Sequence, residues 1–117
     1  MAKNILLICG SGASSGFMAA NMRKAVKKEG LDYKIKARSE AELSDYADEI
    51  DALMVGPHLK AEFNAIKSRV PENVVVILMR PDYYAILDGQ GAIAHLRAEL
   101  GQYGVLMKFD YWSVLNE

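Results

Sequence analysis

Four short apolar runs alternate with stretches of helical period along this chain, and that alternation constrains the fold more than any other feature. Ile5–Ile8 is continuously apolar and ends in Cys9; such a run suits a central parallel strand buried on both faces. Tyr33, Ile35 and Ala37 alternate with Lys34 and Lys36, the period of a strand with one wetter face at a sheet edge. Ala52–Val55 is the third run, and Val74–Met79, rich in β-branched residues, is the fourth. Between the first two, Met18, Met22, Ala25, Val26 and Glu29 recur every three or four residues. That predicts a helix over Ser15–Glu29, with Lys24, Lys27 and Lys28 late, where cations suit the dipole, and Gly30 as its stop. Ser39-Glu40-Ala41-Glu42 is a capping-box pattern opening a short helix. Pro57 suits a first helical turn, and Leu59, Phe63 and Ile66 give one apolar helix face. Arg80–Gly91 reads as a longer loop. The last helix is expected over Ala92–Leu100, with Gly101 after it.

Strands and helices that alternate with short links form a parallel sheet covered on both faces, with right-handed crossovers. The expected class is therefore α/β: three layers, a four-stranded parallel sheet in the order 2-1-3-4, flavodoxin- or Rossmann-like.

The 117 residues suffice for one domain. It is expected over residues 1–101, with 102–117 as an additional segment. That segment is too apolar for a disordered tail; Val105, Met107 and Phe109 could line an extra edge strand, or the segment could fold back or form a subunit contact. A net charge of −1 argues against nucleic acid as a partner. The single cysteine permits no internal disulfide and fits a reducing, cytoplasmic location. No apolar run approaches the roughly 20 residues that span a bilayer. The N-terminus lacks the pattern of a signal peptide.

In open α/β sheets ligands bind beyond the carboxyl ends of the strands, where the strand order reverses. That point falls between the first and third strands, and the loop there is Cys9-Gly10-Ser11-Gly12-Ala13-Ser14-Ser15-Gly16. Gly10, Gly12 and Gly16 allow backbone angles that turn several N–H groups inward as an anion nest, reinforced by the helix N-terminus. Ser11, Ser14 and Ser15 offer hydroxyls to phosphate oxygens. Ala13 is uncharged, and no Asp or Glu stands in the first helical turn, so the site is open to an anion. The same field is expected to lower the Cys9 thiol pKa and supply a thiolate nucleophile. The plain alternative is an inert core cysteine beside a tightly packed turn.

The segment ILLICGSGASSG resembles the N-terminal signature of the lactose/cellobiose-type enzyme IIB of the bacterial phosphoenolpyruvate-dependent sugar phosphotransferase system, matched at Cys9, Gly12, Ser14 and Ser15. ALMVGPHL is similar to the family's third strand, matched at Gly56 and Pro57, and PDYYAILDGQG to its segment with a tyrosine and a later Asp-Gly. The resemblance runs from about Lys3 to Gly101. It implies that residues 1–101 are a phosphocarrier domain in which Cys9 attacks the phosphohistidine of enzyme IIA. The phosphocysteine then gives its phosphoryl group to a sugar, a β-linked disaccharide, held by the membrane transporter enzyme IIC. It implies Gly10–Gly16 as the phosphate loop, as in low-molecular-weight phosphatases, and no cofactor or metal. The chain departs from the family in its extra residues 102–117 and in Ala13, where a larger apolar residue is common.

Other readings stay open on the residues. A low-molecular-weight tyrosine phosphatase or arsenate reductase places an arginine six residues after the cysteine, where this chain has Ser15, and needs a carboxylic acid such as Asp82. A flavin-binding or non-catalytic interaction module would leave Cys9 incidental. Around the site, Gly56, Pro57, His58, Arg80 and Asp82 are candidates for the rim, and Phe17 and Met18 for a docking face. Tyr83 and Tyr84 read as loop packing, and His95 as structural.

Overall fold

The computed structural model describes residues 2–9 and 13–101, and of Ala13 and Ser14 the backbone alone. Residues 102–117, with their expected strand or contact, lie outside the described residues.

Four parallel strands, β1 (Lys3–Cys9), β2 (Tyr33–Ser39), β3 (Ala52–Val55) and β4 (Val75–Leu78), pair in the order β2-β1-β3-β4. This is the expected order. β1 is central: Ile5 faces Ile35 on one side and Ala52 on the other, and the register continues to Cys9 opposite Ser39 and Ile8 opposite Val55. Ile5 to Cys9 are accordingly all buried. β2, at the sheet edge, buries Ile35 while Lys34 and Lys36 stay in solvent.

Side chains of a strand alternate between faces, and β1 divides the core in this way. Ile5, Leu7 and Cys9 pack with Met18, Met22, Ile93 and Leu96 of two helices, α1 (Ala13–Glu29) and α5 (Gly89–Leu100). Leu6 and Ile8 pack on the other face with Leu43 of α2 (Leu43–Tyr46) and Ile66 of α3 (Phe63–Lys67). Sheet and helices thus make three layers, and the cysteine belongs to the α1/α5 face.

Local signals account for most element ends. Gly30 adopts φ 67°, and the N–H groups of Gly30 and Leu31 bond back to Lys27 and Val26, which closes α1 in a Schellman motif. The Glu42 carboxylate accepts hydrogen bonds from the backbone N–H and hydroxyl of Ser39, and a 3-10 turn over Glu40–Glu42 leads into α2. Pro57 opens a second 3-10 segment, Pro57–Glu62, kinked at Leu59, before the short α3. The apolar face of Leu59, Phe63 and Ile66 is present, carried by two short elements rather than one helix.

Two expectations are corrected. α1 begins at Ala13, not Ser15, so the first turn takes in Ala13–Gly16 and the connecting loop is shorter than the sequence suggested. Arg80–Gly91 is not a loop: it holds α4 (Pro81–Ala85), with Pro81 in the first turn, and the first turn of α5. The glycines that read as loop residues are there for packing. A Cβ on Gly89 would lie 2.3 Å from the backbone carbon and oxygen of Asn21, so only glycine lets α5 meet α1 at that height. Tertiary contact outweighs the roughly 1 kcal/mol that glycine costs a helix. Asp88 caps α5 by accepting the Gly91 N–H at 3.1 Å.

α4 also ends in a Schellman motif, with Leu87 and Asp88 donating to the carbonyls of Tyr84 and Tyr83. Its left-handed position is filled by Leu87 at φ 53°, the one non-glycine residue with positive φ among the described residues. Such a residue costs about 1–2 kcal/mol. The Leu87 side chain packs against the α1/α5 core and its carbonyl accepts a hydrogen bond from Asn21 Nδ2 at 2.8 Å, two interactions that offset the strain.

Candidate functional site

Cys9 ends β1 at the carboxyl edge of the sheet, where the order reverses between β1 and β3. Its sulfur is the meeting point of four elements. The Tyr84 hydroxyl, from α4, lies 3.0 Å from Sγ. The Ser15 side chain, from the first turn of α1, is buried and hydrogen-bonded to the sulfur, and the Gly56 backbone, just after β3, is a further partner. His58, from the 3-10 segment, lies beside the same side of Gly56 as the sulfur. A Cβ there would fall 2.9 Å from Cys9 Sγ and 2.8 Å from His58 Cε1. Gly56 has ordinary angles, φ −60° and ψ 146°, so its glycine serves close approach rather than backbone freedom. The His58 and Tyr84 rings lie 6.2 Å apart between centroids, tilted at 56°.

The electrostatics differ from the expectation. Burial pushes the Cys9 thiol pKa up, against the hydrogen bonds from Tyr84, Ser15 and Gly56, which pull it down. Cys9 is fully buried, and removing a thiolate from water outweighs three described dipoles. The direction is therefore opposite to the expected lowering: among the described groups, burial outweighs the three hydrogen bonds. Among the described residues no carboxylate contributes to the Cys9 environment. No group of histidine, cysteine and carboxylate side chains among them is placed to hold a metal.

Of the expected phosphate loop, Gly10, Ser11 and Gly12 lie outside the described residues. Ala13, Ser14, Ser15 and Gly16 form the first turn of α1. Gly16 is exposed with no positive φ, so it supplies no special loop geometry. Of the rim candidates, Gly56 lies against the cysteine with His58 next to it, and Pro57 starts the segment that carries His58. Arg80 and Asp82 pair with each other at 2.9 Å, both exposed. They line a surface depression with Tyr83 and His95, whose lining includes neither Cys9 nor Ser15, Gly56, His58 or Tyr84. Phe17 is exposed on α1, whereas Met18 is fully buried and cannot belong to a docking face.

Tyr84 is the site residue that sequence reasoning missed. It is half-buried with its hydroxyl on the sulfur, not loop packing alone. The signal was topological: a segment after β4 returns to the same edge of the sheet as the end of β1, so a tyrosine there can reach Cys9. Tyr83 does pack inward, and its hydroxyl meets His95 Nδ1 at 2.6 Å.

Solved structures of two proteins share the fold. One is the solution structure of the cellobiose-specific phosphotransferase IIB component protein from Borrelia burgdorferi, with a TM-score of 0.65 and 24% identity, covering 80% of this chain and 87% of that one. The other is the lactose-specific IIB component domain of the phosphoenolpyruvate:carbohydrate phosphotransferase system from Streptococcus pneumoniae, with a TM-score of 0.67 and 13% identity, covering 82% and 95%. No curated protein sequence matches the chain. The family model described as PTS system, Lactose/Cellobiose specific IIB subunit, matches residues 4–95, a span that takes in Cys9, Ser15, Gly56, His58 and Tyr84. By that match, over well more than half its length, the chain belongs to the lactose/cellobiose-specific IIB subunit family of the sugar phosphotransferase system.

Proposed function

We propose that this IIB subunit carries a phosphoryl group on Cys9, taken from a phosphohistidine of enzyme IIA and given to a β-linked disaccharide during uptake through enzyme IIC. The observation that carries the reading is the Cys9 sulfur at the strand-order reversal, met by the Ser15 and Tyr84 hydroxyls and the Gly56 backbone with no described carboxylate beside it. Family membership adds the phosphotransferase context. Among the described residues no helix is long and apolar enough to cross a membrane, so passage of the sugar falls to a partner in this reading.

In the first step the sulfur attacks phosphorus, an S–P bond forms and the N–P bond to the donor imidazole breaks. The thiol proton ends on the departing imidazole, so charge and atoms balance. A buried thiol suits this exchange, because the leaving group itself takes up the proton. In the second step a sugar hydroxyl attacks phosphorus, the S–P bond breaks and the hydroxyl proton returns to sulfur. Between the two steps hydroxyl and amide donors hold the phosphoryl oxygens of the phosphocysteine without cleaving it. Ser15 stands six residues after the cysteine, where a phosphatase would have its arginine, and the candidate arginine Arg80 is paired with Asp82. This favours a carrier that keeps its phosphoryl group from water.

The burial of Cys9 bears on access. Of the described side chains around the sulfur, Tyr84 is half-buried and His58 exposed, so in this reading the partner approaches from their side. Phe17, exposed one helical turn below the start of α1, is placed in this reading on the face that meets IIA.

The test is label transfer from radioactive phosphoenolpyruvate through the phosphorylated donor chain. Wild-type protein is expected to accept one phosphoryl group and Cys9→Ser none, with its fold intact by circular dichroism. A folded Cys9→Ser variant that still took up label would end the proposal.

A further inference from the structure

We infer that Asn21 is a positioning residue for the Cys9 thiol, acting from the middle of α1 through Leu87 and Tyr84. Three hydrogen bonds run in series. Asn21 Nδ2 donates to the Leu87 carbonyl at 2.8 Å, the Leu87 N–H donates to the Tyr84 carbonyl at 3.0 Å, and the Tyr84 hydroxyl lies 3.0 Å from Cys9 Sγ. The middle member is conformationally special. Leu87 holds φ 53°, the left-handed region that leucine avoids, and it closes the Schellman motif that ends α4. α4 is only five residues long, Pro81–Ala85, so the angle at its end sets where the Tyr84 ring points. The α1 backbone at Asn21 is also where Gly89 seats α5, with no space for a Cβ. Asn21 therefore anchors both sides of the turn between α4 and α5. The inference rests on the reading of Cys9 as the reactive group, and goes beyond it by assigning the control of the thiol to a residue that touches neither sulfur nor phosphoryl group.

The described groups facing the sulfur are Ser15 from α1, the Gly56 backbone and His58 from the segment after β3, and Tyr84 from α4. Tyr84 is the member of this set that Asn21 reaches through the series. When the thiolate forms, the Tyr84 hydroxyl donates to it. Loosening the turn withdraws that donor.

The experiment measures the rate of Cys9 alkylation by iodoacetamide against pH. The midpoint of the profile reports thiolate formation and the plateau reports access. Tyr84→Phe is expected to move the midpoint to higher pH. Asn21→Ala is expected to move it the same way by a smaller amount, and to raise the plateau as the tyrosine loosens. Asn21→Asp, which sets a carboxylate against the Leu87 carbonyl, is expected to shift it further than alanine does. In the Tyr84→Phe background Asn21→Ala should add no midpoint shift. Glycine takes a left-handed angle without support, so Asn21→Ala with Leu87→Gly should return the midpoint toward wild type although the lost leucine side chain lowers Tm. That pair also serves if Asn21→Ala alone fails to fold. An unmoved midpoint in Asn21→Ala, an additive shift in the Tyr84→Phe background, or no recovery with Leu87→Gly would each overturn the inference. Because alkylation needs no phosphoryl donor, these results stand apart from the label-transfer test of Cys9 itself.

Discussion

Gly56→Ala puts a methyl group where the structure has no room for one. The Gly56 angles, φ −60° and ψ 146°, are open to any residue, and alanine would by itself add about 0.4–1 kcal/mol by restricting the unfolded chain. Against this, the new Cβ would lie 2.9 Å from Cys9 Sγ and 2.8 Å from His58 Cε1, whereas non-bonded heavy atoms settle at about 3.5–4.0 Å. His58 is exposed and can swing clear. Cys9 is fully buried, with the Tyr84 hydroxyl at 3.0 Å, so the overlap falls on the sulfur. Overpacking of this kind costs about 1–3 kcal/mol, which leaves a net loss of up to about 2.6 kcal/mol, centred near 1 kcal/mol. Urea unfolding in two backgrounds reads this directly. In wild-type protein Gly56→Ala lowers the midpoint at unchanged slope. In a Cys9→Ala background the sulfur is gone, and the same substitution becomes neutral or stabilising by about 0.4–1 kcal/mol. Equal losses in the two backgrounds would refute the packing of glycine against sulfur.

Gly89→Ala should be the more damaging glycine substitution, because its Cβ would meet the Asn21 backbone at 2.3 Å and backbone cannot swing away; a fall in Tm toward the upper end of about 4–12 °C is expected by calorimetry, and an unchanged Tm would contradict the contact between α1 and α5. Burial pushes the Tyr83 phenol up to about 12 and the His95 imidazole down. The Tyr83 contribution to stability is therefore complete below its unfolded value of about 10 and is lost as pH rises toward the folded one. The His95 contribution is complete above about pH 6.5 and is lost as pH falls. Urea midpoints should decline at both ends, and Tyr83→Phe should reduce the alkaline decline, leaving the shares of Cys9 and Tyr33, whose pKa values burial also raises; an alkaline decline equal to wild type would count against it. Phe17→Ser, at an exposed position, should leave the urea-derived stability within about 0.5 kcal/mol while slowing phosphoryl acceptance from IIA, and an unchanged transfer rate would remove Phe17 from the docking face.

Much of the fold was legible because hydrophobic period reports burial directly. The unbroken Ile5–Ile8 run marked a strand covered on both faces, and the lysines of β2 marked an edge, from which the order β2-β1-β3-β4 followed. The segment after β4 was misread because Gly89 and Gly91 carry the signature of a loop, while the reason for Gly89 is a contact with Asn21, 68 residues earlier in the chain. Leu87 was invisible for the related reason that leucine seldom takes a left-handed angle; a side chain packed in the core and a hydrogen bond from Asn21 hold it there. At the site, Cys9, Gly56 and His58 could be anticipated from topology. Two quantities could not. The thiol pKa depends on the depth of burial, which no local pattern encodes. The Tyr84 contact depends on the angle at which a five-residue helix leaves β4.

The most direct measurement of the central claim is the phosphorus-31 NMR spectrum of the chain after phosphorylation by its IIA donor. The account predicts one protein-borne resonance with the shift of an S-phosphorylated thiol, absent when Cys9 is alkylated beforehand. A resonance characteristic of phosphohistidine or a phosphate monoester on this chain, or a signal that survives alkylation of Cys9, would contradict it.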